Sequence, residues 1–438
     1  MIRRDFFKFS ILTAASITTV NASINEKINI KSAKTKIAIC GAGFAGLSCA
    51  KQLKSLNPNL DVTVIEKRAN FSSCPFSNVW LGEIKNISYE DLNYDYNSAI
   101  EKFDYNFINS TISDIDKDKK IITTEQGTIE YEYLIMAVGI DYNYKKLFKR
   151  DIKKAKECQV KAPAGLKPGS EHLKLKRMIK NFKGGNFVIS IPSQAYKCPP
   201  APYERACMIA TYFKKNNIDG KVIIIDPRVK PAAKPERFKE VFETLYKDYI
   251  EYKANTKFKD VNFNKKEIYI ESFNKKTLEF EKITLPFEEA SIIPPNTANN
   301  LIKKTGLETY VNGWAKLRQP TFRSVSHEDV YIIGDSQGEY PYPKSAQMAN
   351  SCAYLVAEEL VNRIKGEGYK YKTYLPGNVC YSMVSANKAV SISHLYEFTD
   401  KVHVTSITSD IDTFTADAAE GWYFGLIEDI LGIERVRE

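Results

Sequence analysis

Of the eight cysteines in this 438-residue chain, three sit where a thiol can react. Cys74 lies in Phe71-Ser-Ser-Cys74-Pro-Phe-Ser77-Asn78, Cys198 opens a Cys198-Pro199-Pro200 turn, and Cys380 lies in Asn378-Val-Cys380-Tyr381-Ser382; all three segments read as loops. A loop thiol is reachable, and its thiolate is the nucleophile of thiol–disulfide exchange. Glu204, six residues after Cys198 and near the start of a predicted helix, is either a base whose pKa burial raises or a carboxylate that complements the helix dipole. Cys40 at a strand end, Cys49 on the packed face of a helix, and Cys207 and Cys352 in apolar helical stretches read as packing, while Cys158 falls in a polar linker and reads as free. His172, His327, His394 and His403 show no metal-ligand spacing, so no metal is expected. Without a Cys-x-x-Cys-His the chain attaches no c-type haem.

The N-terminus bears on how these thiols are read. Arg3-Arg4-Asp5-Phe6-Phe7-Lys8 is a twin-arginine stretch; an apolar run and a small-residue site, Val20-Asn21-Ala22, follow it. Residues 1–22 therefore read as a removable export signal, too short for a span of ~20 apolar residues, and the expected location is the periplasm, where disulfides are permitted. An uncleaved anchor or a chance basic end is the alternative. No other segment reads as a transmembrane helix. The formal charge is +10; the leader holds three basic residues and one acid, leaving +8 on the mature chain. The lysines are scattered, which argues against nucleic acid and fits a solvated surface, one able to steer an acidic protein partner.

The elements that must position the thiols begin with Lys36-Ile-Ala-Ile-Cys40, a short apolar strand followed at once by Gly41-Ala-Gly43-Phe-Ala-Gly46 and a predicted helix over Leu47–Leu56. The first glycine permits the tight turn, the second lets backbone approach a pyrophosphate, and the third lets helix pack on strand. A second strand, Asp61–Glu66, ends in a carboxylate placed to take ribose hydroxyls. Two later segments favour FAD over NAD. Tyr131-Glu-Tyr-Leu-Ile-Met-Ala137-Val138-Gly139 is similar to the closing strand and turn of the two-dinucleotide-fold flavoproteins, and Asp329-Val-Tyr-Ile-Ile-Gly334-Asp335 to the strand with which they hold the ribityl and phosphate end. Between them, Asn186–Ile191, Tyr203–Lys214 and Lys221–Asp226 read as strand, helix and strand, followed by lysine-rich strands from about Phe258 to Pro286. The turn here, Pro192 to Pro202, lacks glycines, so NAD(P)H is an unexpected electron donor.

Cys198-Pro-Pro-Ala-Pro-Tyr-Glu204-Arg205-Ala, Pro343-Lys344-Ser345-Ala-Gln347-Met-Ala-Asn350 and Asn378-Val-Cys380-Tyr381-Ser382 resemble the motifs of the flavoprotein subunit of flavocytochrome c sulfide dehydrogenase. The related sulfide:quinone oxidoreductases share its fold and sulfur chemistry. The resemblance runs over the mature chain and implies an α/β fold: two dinucleotide-binding, Rossmann-like domains of the glutathione-reductase type plus a smaller C-terminal flavin-covering domain. The expected division is 1–22 signal, 33–150 and 288–368 FAD-binding, 151–287 a degenerate second nucleotide domain, and 369–438 the C-terminal domain.

The resemblance further implies a Cys198–Cys380 disulfide beside the flavin, opened by hydrosulfide to a persulfide and a thiolate, with electrons passing through FAD to a separate c-type cytochrome. A purely structural disulfide is the alternative. It also implies FAD attached through a Cys74 thioether, although Pro75-Phe76 departs from the residues expected there and leaves a free buried thiol as the other reading. Lys344 either stabilises negative charge on reduced flavin or is an ordinary exposed lysine. The aromatic tail Gly421-Trp422-Tyr423-Phe424 either caps the flavin or lies in a membrane interface. The expected site is thus Cys198, Cys380 and Glu204 for catalysis, with Gly41, Gly43, Gly46, Glu66, Cys74, Gly139, Gly334, Asp335 and Lys344 for the cofactor. A quinone-reducing enzyme and a noncatalytic flavin- or sulfur-compound-binding subunit are the alternatives.

Overall fold

The computed structural model describes residues 32–149, 151–368 and 374–434, so the export-signal reading of residues 1–22 lies outside the described residues. Strand Ser32–Cys40 is flanked by two parallel partners, Val62–Glu66 on one side and Gly127–Met136 on the other, with Ile39 beside both Val64 and Ile135. Asn106–Asn109 extends the parallel run at one end and Val330–Ile332, from some two hundred residues later, at the other. A strand buried on both faces needs no polar alternation, and Val62–Glu66 is buried throughout. Antiparallel strands complete a nine-stranded sheet.

Helix Phe44–Leu56 covers one face of this sheet, starting three residues ahead of the sequence-based expectation. Gly41 adopts φ +105°, and a Cβ at Gly46 would stand 1.8 Å from the Gly41 carbonyl oxygen; helix and turn touch there backbone to backbone. The long helix Ala346–Ile364 packs on the same helix, joined to it by Asn350 Nδ2 donating to Ser48 Oγ at 2.9 Å.

A second parallel sheet forms between the two halves of the first. Gly185–Ser190 pairs with Gly220–Ile225 and Glu289–Ile292, and Ile250–Lys253 sits at the edge. Helix Ala201–Lys215 makes the crossover, and an antiparallel three-stranded sheet, Thr256–Asn262, Glu267–Asn274 and Glu279–Pro286, follows. The fold is thus mixed α/β, with two parallel sheets of the dinucleotide-binding kind, as expected. Cys158 departs from expectation. Hydrophobic neighbours of the second core enclose it within helix Ile152–Lys161, so it is a free thiol as expected but fully buried in a helix rather than in a polar linker.

The C-terminal part is an antiparallel sheet, Tyr374–Met383, Ala389–Phe398 and Val402–Thr408, then helix Thr413–Leu431. Asp412 caps that helix by accepting from Thr415 N at 2.6 Å, and Gly432, at φ +69°, ends it. The helix lies on the first domain: Tyr423 stacks on Phe76 at 4.5 Å and its hydroxyl donates to the Asp91 carbonyl at 2.6 Å. Among the described residues no helix is long and apolar enough to cross a membrane.

The Gly46 contact yields a direct test. Gly46→Ala puts a β-carbon into a backbone carbonyl that cannot rotate away, so the denaturant midpoint should fall by the equivalent of about 1–3 kcal/mol. An unchanged midpoint in an unfolding titration would contradict this packing.

Candidate active site

One cavity of about 700 Å³ runs from the glycine turn of the first domain to the C-terminal sheet. Gly41, Gly43, Glu66, Cys74, Gly139, Gly334, Asp335 and Lys344 line it, together with Cys198, Glu204 and Cys380; Gly46 is instead buried in the helix behind the turn. Trp422 and Tyr381 line it as well, their rings 5.6 Å apart.

The nucleotide end fits FAD on its own geometry. A Cβ at Gly43 or Gly139 would meet nothing within 4 Å, so both expose bare backbone to the cavity. Glu66 takes the Ala42 and Arg68 amides at 2.9 and 3.0 Å, which fixes its carboxylate at the strand end. Asp335 is held by Lys197 Nζ at 3.3 Å through one oxygen, while its buried Oδ1 has no partner. An orphan acceptor beside open cavity is what a ribityl hydroxyl would satisfy. Lys344 is buried, its ammonium 3.8 Å from the Trp314 ring centre and bonded to the Gln337 carbonyl. Burial pushes its pKa down to about 7, against the pull of Asp335 and Glu339. The reading of Lys344 as an exposed surface lysine does not hold.

The acid ending the second strand of the second nucleotide fold has a different fate. Asp226 is fully buried, accepting from Tyr203 and Tyr252 hydroxyls at 2.5 and 3.0 Å and from Arg228. Its acceptor capacity is consumed by the chain's own side chains. The Cys-Pro-Pro turn closes the space ahead of helix Ala201–Lys215: Cys198 takes a left-handed φ of 53°, and its amide donates to the Lys344 carbonyl at 2.9 Å.

That turn delivers Cys198 to the neighbourhood of Cys380, close enough for each thiol to shift the other's pKa. In this structure both are free thiols. Cys380 stands on strand Tyr374–Met383, not in a loop as its sequence suggested, because Asn378 to Met383 pair continuously with Ala389 to His394. The hydrogen bond with Cys380 and burial raise the pKa of Cys198 well above the ordinary thiol value. Glu204 joins the pair from the helix: Oε2 accepts from Asn78 Nδ2 at 2.8 Å and Oε1 from the Met383 amide at 2.8 Å. Burial raises its pKa against these bonds. Cys74 Sγ donates to the Leu166 carbonyl at 3.2 Å and faces Lys197; burial raises its pKa and Lys197 opposes the rise.

Several contributors escaped the sequence reading. Lys197 belongs to the quoted turn but carried no signal beyond its charge. Arg205 is 1% exposed and donates to the carbonyls of Ala164 and Gly165 at 2.7 and 2.5 Å, to Ser291 Oγ at 3.0 Å and to Asn78 Oδ1 at 3.3 Å. Asn78, which bonds Glu204 and Arg205, ends the quoted Cys74 segment but carried no signal of its own, and Lys234 stands in an unremarkable stretch of sequence.

The family model "Sulfide dehydrogenase (flavocytochrome c) flavoprotein chain, central" matches residues 172–283, and "Flavocytochrome c sulphide dehydrogenase, flavin-binding" matches 375–431. The "Pyridine nucleotide-disulphide oxidoreductase" model matches 35–162. The mitochondrial sulfide:quinone oxidoreductase of Dictyostelium discoideum is 25% identical over 388 residues, covering 86% of this chain and 81% of its own. The sulfide-quinone reductase of Aquifex aeolicus (strain VF5) is 25% identical over 354 residues, covering 76% and 78%. The X-ray structure of sulfide:quinone oxidoreductase from Aquifex aeolicus superposes with a TM-score of 0.69 at 19% identity, covering 92% of both chains.

Replacing the buried guanidinium tests the geometry independently of chemistry. Arg205→Met strands at least two buried carbonyls, at a cost on the order of 3 kcal/mol. Its midpoint in urea should drop accordingly; a variant as stable as the parent would remove Arg205 as the organiser of this site.

Proposed function

We propose, for a chain that belongs to the sulfide:quinone oxidoreductase-like flavoproteins, that it is an FAD-dependent enzyme oxidising sulfide through Cys198 and Cys380. One observation carries the reading: two cysteine sulfurs from separate domains meet in the cavity whose other end fits a dinucleotide. Oxidised to a disulfide, the pair offers hydrosulfide an S–S bond to attack, giving a persulfide on one cysteine and a thiolate on the other. Glu204, with its pKa raised by burial, takes the proton that hydrogen sulfide loses. Lys344, its pKa lowered by burial to about 7, takes up a proton at the cavity wall when negative charge builds there. Bound FAD would supply the two-electron acceptor. The Cys-Pro-Pro turn and the saturated Asp226 leave the second nucleotide fold without an NAD(P)H cradle.

Cys74 is read as the attachment point for FAD, on the strength of its place in the cavity wall. The acceptor is read as a separate c-type cytochrome, since two of the matching family models are those of a flavocytochrome c. A quinone acceptor is the second reading, favoured by the names of relatives aligned over 86% and 76% of the chain. Export to the periplasm is supported by Arg3-Arg4 and the apolar run after it.

A visible spectrum of the purified protein, before and after denaturation and desalting, should retain flavin colour on the polypeptide, and Cys74→Ala should release it. Anaerobic sulfide should bleach the native sample, and Cys198→Ser or Cys380→Ser should leave the flavin oxidised. Bleaching by sulfide that survives either replacement would sink the disulfide route. Bound flavin indifferent to sulfide in the native protein would instead indicate a noncatalytic role. Reoxidation by added cytochrome c but not by a soluble quinone should follow, and the reverse preference would select the second reading.

A further inference from the structure

Lys234 is 1% exposed, and its ammonium donates to Ser382 Oγ at 2.8 Å. Ser382 follows Cys380 by two residues on one strand, so both side chains leave the same face. Burial lowers the Lys234 pKa, and the charges that oppose this are those of Cys380 first, then Glu204 and Cys198. Among the described residues no carboxylate pairs with it directly. An ammonium taken out of water with one neutral partner is costly unless a negative charge accompanies it. The backbone is committed too: Lys234 has φ 49° directly ahead of Pro235, at the start of helix Pro235–Glu243. Glycine or asparagine would serve that turn with less strain, so turn geometry does not explain a lysine there.

We propose that Lys234 is a positioning residue that holds the negative charge of the reduced cysteine pair on Cys380, so that hydrosulfide attacks Cys198 and Cys380 is the sulfur that leaves. The consequence for attack rests on the sulfide-oxidising reading above. In that step hydrosulfide forms a bond to Cys198 Sγ and the Cys198–Cys380 bond breaks. The electron pair of the broken bond stays on Cys380 as thiolate, and the proton remains on the outer sulfur of the Cys198 persulfide. A leaving thiolate that is already stabilised departs faster.

The surroundings agree with this assignment. The hydrogen bond from Cys198 and then the Lys234 ammonium bring Cys380 down to about 7, against burial and Glu204. Cys198 moves the other way. The other groups around the pair include Lys197, Cys74 and Tyr196, which interact with Cys198; Arg205, which the Ala164 and Gly165 carbonyls hold; and His394, whose pKa burial and then Lys234 lower.

Limited alkylation of the reduced, flavin-loaded full chain under anaerobic conditions, mapped by peptide mass spectrometry across pH, tests the proposal without sulfide turnover. Cys380 should be modified ahead of Cys198, with a midpoint near about 7. Lys234→Met should move that midpoint up by about one pH unit or more, and Lys234→Arg should keep it near the native value. Modification of Cys198 first in the native protein, or an unmoved midpoint in Lys234→Met, would overturn the proposal; the native-protein result decides even if Lys234→Met does not fold. When sulfide is added instead to the disulfide-oxidised, flavin-loaded chain, the extra sulfur should map to Cys198, and its appearance on Cys380 would overturn the assignment of the attacked sulfur. Because alkylation needs no sulfide, a protein that ignores sulfide loses the enzymatic reading while the charge assignment is still judged on its own.

Discussion

The buried guanidinium of Arg205 is the constraint on which the rest of the site depends. Its hydrogen bonds reach the Ala164-Gly165 linker, the returning strand through Ser291, and the first domain through Asn78. Asn78 passes the connection on to Glu204, and Glu204 to the Met383 amide of the C-terminal sheet. One polar chain thereby spans every part that contributes to the cavity. Its low-dielectric setting is why it holds: each donor or acceptor that lost its partner would bear the full desolvation cost. Gly165 is the local price, since any β-carbon there would stand 2.6 Å from Arg205 Nη2.

The two nucleotide folds show how one architecture is used for opposite ends. In the first, the glycine turn leaves bare backbone at the cavity wall and the strand-end acid, Glu66, lines open space. In the second, the equivalent acid, Asp226, is sealed by two tyrosines and Arg228, and the turn is filled by prolines. A turn that need not admit a pyrophosphate is free to carry a side chain into the cavity, and here that side chain is a thiol.

Local patterns carried much of this. The glycine turn, the terminal Glu66, the Gly334-Asp335 strand and the glycine-free second turn are short-range signals, because each depends on backbone access or strand periodicity within a few residues. The fold class follows from their order. What stayed illegible depends on contacts between distant segments. Cys380 looked like a loop residue because its partner strand, Ala389–Phe398, gives no sign of register until the sheet is built. Cys158 looked like a linker residue because the strands that bury it lie in later segments of the chain. Lys344 and Lys234 are lysines whose ordinary prior is the surface, and their burial is decided by Trp314 in one case and the C-terminal sheet in the other.

A reactive sulfur pair must satisfy two opposed demands. Removal from water suppresses thiolate formation and protects the pair from stray chemistry, yet exchange requires one sulfur to carry charge. Burial alone would raise both thiols, as it does for Cys40, and for Cys49, which Cys352 pushes further the same way. At the active pair the symmetry is broken by position: Cys198 arrives on a strained turn beside Glu204, and Cys380 arrives on a strand whose next inward residue anchors an ammonium. The two sulfurs are chemically identical, so their difference in charge has to come from what each domain brings up behind its own cysteine. A site assembled from two domains can supply two such environments within one cavity, which a pair of cysteines within one turn could not.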